Sequence, residues 1–490
     1  MTRINFRGIA SLVFSLILAE SCAQDSAKNA SPDSLGSRFV AAVNSANRSE
    51  QEAALREIYS PKTLEKIGLD KLVNSTQRHH SVYSPLEYHH SERLEFQKPS
   101  GTNYVLHVYA RKKGAVMWQD FQFFLEPEPP HLIQNLVFIA EVAEPISLPN
   151  GSIEQKNTLD WLDKYIQKLE AENDLSGSIL IAKGDAPIFE KNWGYANAER
   201  TKNIGAETLF GLASGSKMFT ALAILQLQEQ GKLKLTDPLT AYFPDFPDRE
   251  RAEKTTLQNL LSHTSGLAEY WTLENEPAML TFTDWHQFLP LIYRGGYQFE
   301  PGTEHRYCNS NFMLLGAIIE KASGQDFYTY INDNILAKSG MAKSGYFDHA
   351  DPTLPIASTF SRSGDGKGWK IAKHFKKGSP AGGCYSNTAD MFLFCKALKN
   401  NKLVSAATLK NMVTDQTIGL KEAEPYGLGF ILTKSGDERA YGHGGIAAGV
   451  NFEFMYFPKL DITFIAFNNQ DNGAYDDLRK NVIKLISGLR

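Results

Sequence analysis

Cysteine is scarce in this chain, with four residues in 490, at positions 22, 308, 384 and 395. Cys22 falls in an N-terminal signal region, and the other three are an odd number and a poor disulfide framework. Cys384 and Cys395 could pair only if the segment between them folded back, and much of that segment reads as helix. Small buried hydrophobic residues describe the three thiols better. No Cys-x-x-Cys, Cys/His or His-Glu-x-x-His spacing occurs, so a zinc hydrolase is excluded and no metal or organic cofactor is expected. Gly-x-Ser-x-Gly is missing as well, which excludes an α/β-hydrolase. Neither charge dominates: 51 Lys and Arg against 55 Asp and Glu leave a net −4, and no basic run supplies a local field. Nucleic acid is therefore excluded as a partner. Beyond the signal region no stretch is long and apolar enough to cross a bilayer.

What the chain does have is core material: 42% hydrophobic, 11% aromatic and 22% charged residues, the balance of a globular protein. At about 150 residues per domain, the length makes roughly three units, or two with one large. Residues 1–23 read as an export signal. Arg3 and Arg7 precede an apolar run from Ile9 to Ala19, too short for a membrane span but suited to a signal core. Ser21, Cys22 and Ala23 are small, which places cleavage after Ala23. The alternative is a lipid anchor at Cys22 and membrane association through it, but Ala19 and Glu20 match a lipobox poorly. A secreted or periplasmic protein is the expectation.

Residues 24–34 are small and polar, a flexible tether. In the unit that follows, residues 35–146, helical periodicity from Phe39 to Ile67 is broken at Ser60-Pro61, and four alternating segments then read as strands: 86–96, 104–112, 116–125 and 132–142. Two helices before a curved antiparallel sheet make an α+β module, and its element order resembles the NTF2-like domains. The pairs His79-His80 and His89-His90 invite a metal reading, yet adjacent strand residues point to opposite faces, so polar surface or loop describes them better. Docking or small-ligand binding is the role expected of this module. A linker over 147–156 leads to residues 157–490. There an amphipathic helix (158–172) and a hairpin (178–183 and 187–195) are mirrored at the C-terminus by strands 452–457 and 462–468 and a helix over 478–489. One antiparallel sheet built from both ends of the domain, with a helical insertion, is the predicted architecture.

The sharpest local feature is Ser214-Gly215-Ser216-Lys217, followed by helical core spacing at Met218, Leu222 and Leu225 until Gly231. If the helix begins at Ser214, Ser214 and Lys217 share one face. The serine then sits at the positive end of the dipole, where a developing oxyanion is stabilised, and a buried lysine loses basicity until it can serve as a base. Taken alone, the spacing fits an N-cap serine with a solvated lysine equally well. Two further elements stand in order behind it: Tyr307-Cys308-Asn309, in a loop before a helix from Phe312, and His443-Gly444-Gly445-Ile446, before a strand.

Ser-x-x-Lys, Tyr-x-Asn and His-x-Gly in this order resemble the serine β-lactamase and penicillin-binding superfamily, in its class C-like branch of β-lactamases, esterases, D-aminopeptidases and D-Ala carboxypeptidases. The segments 260–267, 314–320, 381–383 with Asp390, and 426–430 agree with it. The resemblance implies that Ser214 is the nucleophile of an acyl-enzyme, that Lys217 and Tyr307 handle protons, and that Asn309 holds the lysine or the substrate amide. It further implies an oxyanion hole from the backbone N–H groups of Ser214 and Ile446, lined by Gly444 and Gly445. His443-Gly444-Gly445 stands where β-lactamases carry Lys-Thr-Gly, so a cation and a hydroxyl for a substrate carboxylate are both missing. The expectation is a hydrolase for an ester, a neutral amide or a peptide, weak on β-lactams. The alternatives are a genuine β-lactamase or D-Ala carboxypeptidase, and a slow sensor or binding protein. His263 is expected to be structural, and Cys308 a packed residue rather than a second nucleophile.

Overall fold

The computed structural model describes residues 31–487 apart from 99–100, 116–117, 143–147, 150, 273, 349–353, 363–368, 421–422, 436–437 and 472. The export signal, Cys22 and the start of the tether lie outside the described residues. Among the described residues no helix is long and apolar enough to cross a membrane. The chain divides into two compact units, Met1–Ser147 and Leu148–Arg490.

Unit 1 opens with four helices, α1 (Pro32–Asn44), α2 (Arg48–Ile58), α3 (Pro61–Ile67) and α4 (Leu69–Tyr83), rather than the two expected. The cause is local. Ser31, Asn47 and Ser60 each cap a new start through the side chain, and Gly68 (φ 86°) turns the chain between α3 and α4. The Ser31 cap with proline in the first turn also draws Pro32–Ser34 into α1 and out of the tether. Strands β1 (Leu86–Lys98), β2 (Gly101–Lys112), β3 (Trp118–Leu125) and β4 (Ile133–Val142) follow as an antiparallel meander, so the unit is α+β. Leu106, Val108, Phe121 and Phe123 on one sheet face pack against Phe39, Val40 and Val43 of α1 and Val73 of α4.

Neither histidine pair is loop. His79 and His80 lie on α4, where the His80 ring N–H donates to the Val43 carbonyl at 2.8 Å, and burial brings His79 down to about 4. On β1 a bulge between Tyr88 and His90 breaks the alternation, so the Nδ1 atoms of His89 and His90 meet at 2.7 Å instead of facing opposite ways.

Unit 2 begins with α5 (Lys156–Asn173) and the hairpin β5 (Gly177–Lys183) and β6 (Ala186–Trp193). The insertion contains β7 (Phe210–Ala213), α6 (Lys217–Glu229), α7 (Asn309–Ser323), β8 (Gly345–Tyr346), β9 (Cys384–Ser386) and α8 (Thr388–Lys399). The chain returns through β10 (Ile431–Ser435), β11 (Glu438–Ala447), β12 (Val450–Phe457), β13 (Ile462–Asn468) and α9 (Gly473–Ser487). The main sheet is antiparallel and six-stranded in the order β10-β11-β12-β13-β5-β6, and β13 pairs with β5 from Ile462↔Lys183 to Asn468↔Gly177. One sheet is thus closed from both ends of the unit. Its central strands are continuous apolar runs because both faces are covered: β13 is buried throughout and β5 up to Ala182. Helix α6 is apolar around its whole circumference for the same reason, buried from Lys217 to Leu227. Phe219 on α6 meets Phe394 on α8 edge-on at 5.1 Å, and Phe394 in turn meets Phe454 on β12 at 5.6 Å, so the helical insertion and the sheet share one core. Cys308, Cys384 and Cys395 are free thiols within it.

Candidate active site

Strand β7 ends at Ala213, whose φ of 41° lies in the left-handed region that favours glycine. This strained turn delivers Ser214, half-buried, at the head of a 3₁₀ turn over Ser214–Ser216. The α-helix proper starts at Lys217, three residues later than the spacing argument placed it. The alignment survives because residues three apart eclipse in a 3₁₀ turn. Ser216 clamps the turn: its hydroxyl donates to the Ala213 carbonyl at 2.8 Å and accepts from the Cys384 N–H of β9 at 2.9 Å.

Lys217 is fully buried. Its Nζ lies 3.0 Å from Ser214 Oγ, 2.8 Å from Asn309 Oδ1 and 2.6 Å from the Ala381 carbonyl oxygen. Burial brings the amine down to about 7, against the opposing pull of Glu269 and Cys308. A solvated lysine beside an N-cap serine is not what this sequence builds. Tyr307 is 39% exposed, and its hydroxyl is within hydrogen-bond reach of Ser214. Burial of the phenol raises it above its usual range.

Asn309 is the first residue of α7, and a loop over 262–271 is stitched to that helix start. The Cys308 N–H donates to His263 Nδ1 (3.1 Å), Ser310 Oγ donates to the Ala268 carbonyl (2.7 Å), and the Tyr270 N–H donates to Ser310 Oγ (3.1 Å). His263 is accordingly a buried structural acceptor, its basicity suppressed chiefly by burial. The Cys308 thiol is buried and pushed up to about 12, which leaves it unreactive.

His443 is also buried, on β11. Its Nδ1–H donates to the Gly444 carbonyl at 2.5 Å, and its Nε2 accepts from the Tyr426 hydroxyl at 3.1 Å. Burial and the nearby Lys217 bring it down to about 3, so it is neutral at ordinary pH. Its ring lies 6.2 Å from that of Tyr307. Gly445 has a steric reason: a Cβ there would come within 1.9 Å of the Leu212 carbonyl oxygen and 3.2 Å of the Gly215 nitrogen. Its absence lets the strand carrying Ile446 run against the turn carrying Ser214. Gly444 is different, since its nearest neighbour would be Glu453 Oε2 at 3.4 Å. Ile446 and Trp271 stand exposed at 74% and 44%.

Ser214, Lys217, Tyr307 and Asn309 therefore converge, with His443 next to Tyr307. Sequence reasoning missed three contributors. Glu269 accepts from the Asn309 backbone N–H at 2.7 Å and from its Nδ2 at 3.0 Å. The Ala381 carbonyl is a backbone atom and has no residue signature. Tyr426 lay in a noted segment, but nothing local tied it to His443. For Glu269 the one available sign is a lone acid in the apolar stretch from Leu267 to Trp271.

Comparison with known proteins adds four findings. Residues 162–487 match the protein family described as Beta-lactamase. A D-aminopeptidase of Brucella anthropi is 26% identical over 305 residues, 61% of this chain and 56% of that protein. Among solved structures, a penicillin-binding protein from Bacillus halodurans shares 29% identity with a TM-score of 0.59, covering 66% of this chain and 99% of that one. A D-amino acid amidase from Ochrobactrum anthropi SV3 has the same fold, at 21% identity and a TM-score of 0.58, covering 67% of this chain and 99% of that one.

Proposed function

The chain belongs to the β-lactamase family, and on that premise we propose that it is a serine hydrolase acting through a Ser214 acyl-enzyme on ester or amide (peptide) substrates, and weakly on β-lactams. The observation that carries this reading is the environment of Lys217 Nζ. A neutral amine has two N–H bonds, matched by Asn309 Oδ1 and the Ala381 carbonyl, and one lone pair, directed at the Ser214 hydroxyl. The serine proton moves to Nζ as Oγ attacks the substrate carbonyl carbon. The oxyanion is held by the N–H groups of Ser214 and Ile446, each such donor being worth about 3 kcal/mol. Tyr307 relays a proton to the leaving group, and water then releases the acyl group from Ser214.

A substrate without a carboxylate fits best. His443 is neutral and turned to Tyr426, Gly444 offers no hydroxyl, and the exposed side chains include, besides Tyr307, the apolar Trp271 and Ile446. The relatives named D-aminopeptidase and D-amino acid amidase favour an amide over an ester. Export after Ala23 is part of the proposal, supported by Arg3, Arg7 and the apolar run that follows. So is a docking or ligand-binding role for unit 1, on the resemblance of its sequence pattern to NTF2-like domains.

The test is intact-protein mass over time after mixing with a short-chain nitrophenyl ester and, separately, a chromogenic cephalosporin. A transient adduct with ester turnover, both lost in Ser214→Ala, is the expected result. A rapid cephalosporin cycle would promote a genuine β-lactamase, full activity in the variant would remove Ser214 as nucleophile, and no adduct with either would shift weight to a sensor or to a narrow peptide substrate.

A further inference from the structure

Glu269 stands on the far side of Asn309 from Lys217, and no step above uses it. Its Oε2 accepts both Asn309 N–H contacts, and its Oε1 accepts the Trp271 N–H at 3.0 Å. A carboxylate can only accept, so the Asn309 amide must turn its NH₂ toward Glu269 and its oxygen toward Lys217. Without that constraint the amide could flip and set its NH₂ against the lysine, which would drive the Nζ lone pair away from Ser214.

We infer that Glu269 is a positioning residue of the proposed hydrolase, locking the Asn309 amide in one orientation and governing the direction and protonation of Lys217. This rests on the serine hydrolase reading. The groups that face Lys217 from the surrounding elements are Glu269 and Cys308, His263, Tyr307 and His443. Burial keeps the Cys308 thiol and the Tyr307 phenol protonated, and it keeps both histidines uncharged. That leaves the Glu269 carboxylate as the charge that sustains the Lys217 ammonium. Burial lowers Lys217, and Glu269 works against that lowering.

The experiment compares wild type, Glu269→Gln and Glu269→Asp in the pH profile of kcat/KM for the nitrophenyl ester. In Glu269→Gln the acid limb should move down by about one pH unit, and kcat should fall at least about tenfold while KM changes less than about threefold. Glu269→Asp keeps the charge but shortens the reach, so its limb should stay within about 0.3 unit of wild type while kcat falls. Ser310→Ala cuts the same loop without touching the charge and should leave the limb in place. A limb in Glu269→Gln that stays where Ser310→Ala leaves it would reduce Glu269 to a loop tie and overturn the inference. So would an unchanged kcat in Glu269→Asp, the variant that decides the matter if the Gln form does not fold.

A second readout needs no turnover. The buried Lys217 adds no stability penalty above its unfolded value of about 10.4. The penalty grows as pH falls and is complete below about 7. In Glu269→Gln the urea midpoint should keep falling below the pH at which the wild-type midpoint levels off. If wild type shows no Ser214-dependent turnover, the hydrolase reading fails and this midpoint comparison alone decides the role of Glu269, coincident curves overturning it.

Discussion

Lys217 and His443 are two buried bases of one site, on α6 and on β11, and burial lowers both from their ordinary values by a similar step. Lys217 comes down to about 7 and His443 to about 3. The lysine is ringed by acceptors, Ser214 Oγ, Asn309 Oδ1 and the Ala381 carbonyl, with the Glu269 carboxylate behind them. Of these the Glu269 carboxylate favours the protonated form and offsets part of the desolvation. The histidine has one acceptor, the Gly444 carbonyl, and one hydroxyl that serves its neutral form as a donor. The first base is poised to trade a proton near neutrality, and the second is locked neutral. Equal burial does not make equal bases: an amine starts near 10.5 and an imidazole near 6.5, so a similar lowering leaves the first near neutrality and the second well below it.

Removing the poised base should have the largest effect. Lys217→Met is expected to lower kcat/KM for the ester by about 10³-fold or more. It should leave the thermal midpoint equal or higher, because an apolar side chain of similar length replaces a buried amine. In wild type the same base sets an acid limb near pH 7, activity falling as pH falls and Nζ becomes protonated. A wild-type profile flat from pH 5 to 8 would break the contrast with His443.

The second test tries to convert the silent base into a cation. His443→Lys with Gly444→Thr should raise turnover of carboxylate-bearing β-lactams about tenfold if the missing clamp explains their rejection. The threonine has room, since the nearest atom to its Cβ is Glu453 Oε2 at 3.4 Å. The lysine must leave the pocket beside Tyr426 to carry charge, so the variant should be less stable by about 1–3 kcal/mol in urea denaturation. Unchanged β-lactam turnover would mean that other walls of the pocket set specificity.

The smallest effect should come from Tyr426→Phe, which removes the hydroxyl from His443 Nε2. A loss of about 1 kcal/mol in unfolding free energy with an unchanged acid limb is expected. A shifted limb would show that His443 takes part in the titration assigned to Lys217.

Legibility in the sequence followed contact distance along the chain. Ser214 and Lys217 were readable as a pair because three residues of tight turn bring them together, whether the turn is α or 3₁₀. Tyr307, Asn309 and His443 were readable only by their order, through a family likeness. Glu269 left only the sign of a lone acid in an apolar stretch: it meets Asn309 across 40 residues, and acidic side chains in loops are common. In unit 1 the break at Ser60-Pro61 and the end of the helical stretch at Ile67 were plain, while the break at Asn47 and the helix from Leu69 were passed over. The bulge that turns His89 toward His90 left no mark in a pattern read as regular alternation.

By itself, then, the sequence determined what depends on near neighbours: capped helix starts, the doubly buried runs of β5 and β13, the Ser214–Lys217 spacing, and a glycine where β11 must touch the turn carrying Ser214. The tertiary structure decided protonation. Lys217 reaches the Ala381 carbonyl 164 residues away, and Asn309 is oriented by a carboxylate from another loop. A pKa is set by desolvation and by the donors and acceptors that folding gathers around a group, so the same lysine in an open helix would be an ordinary surface cation.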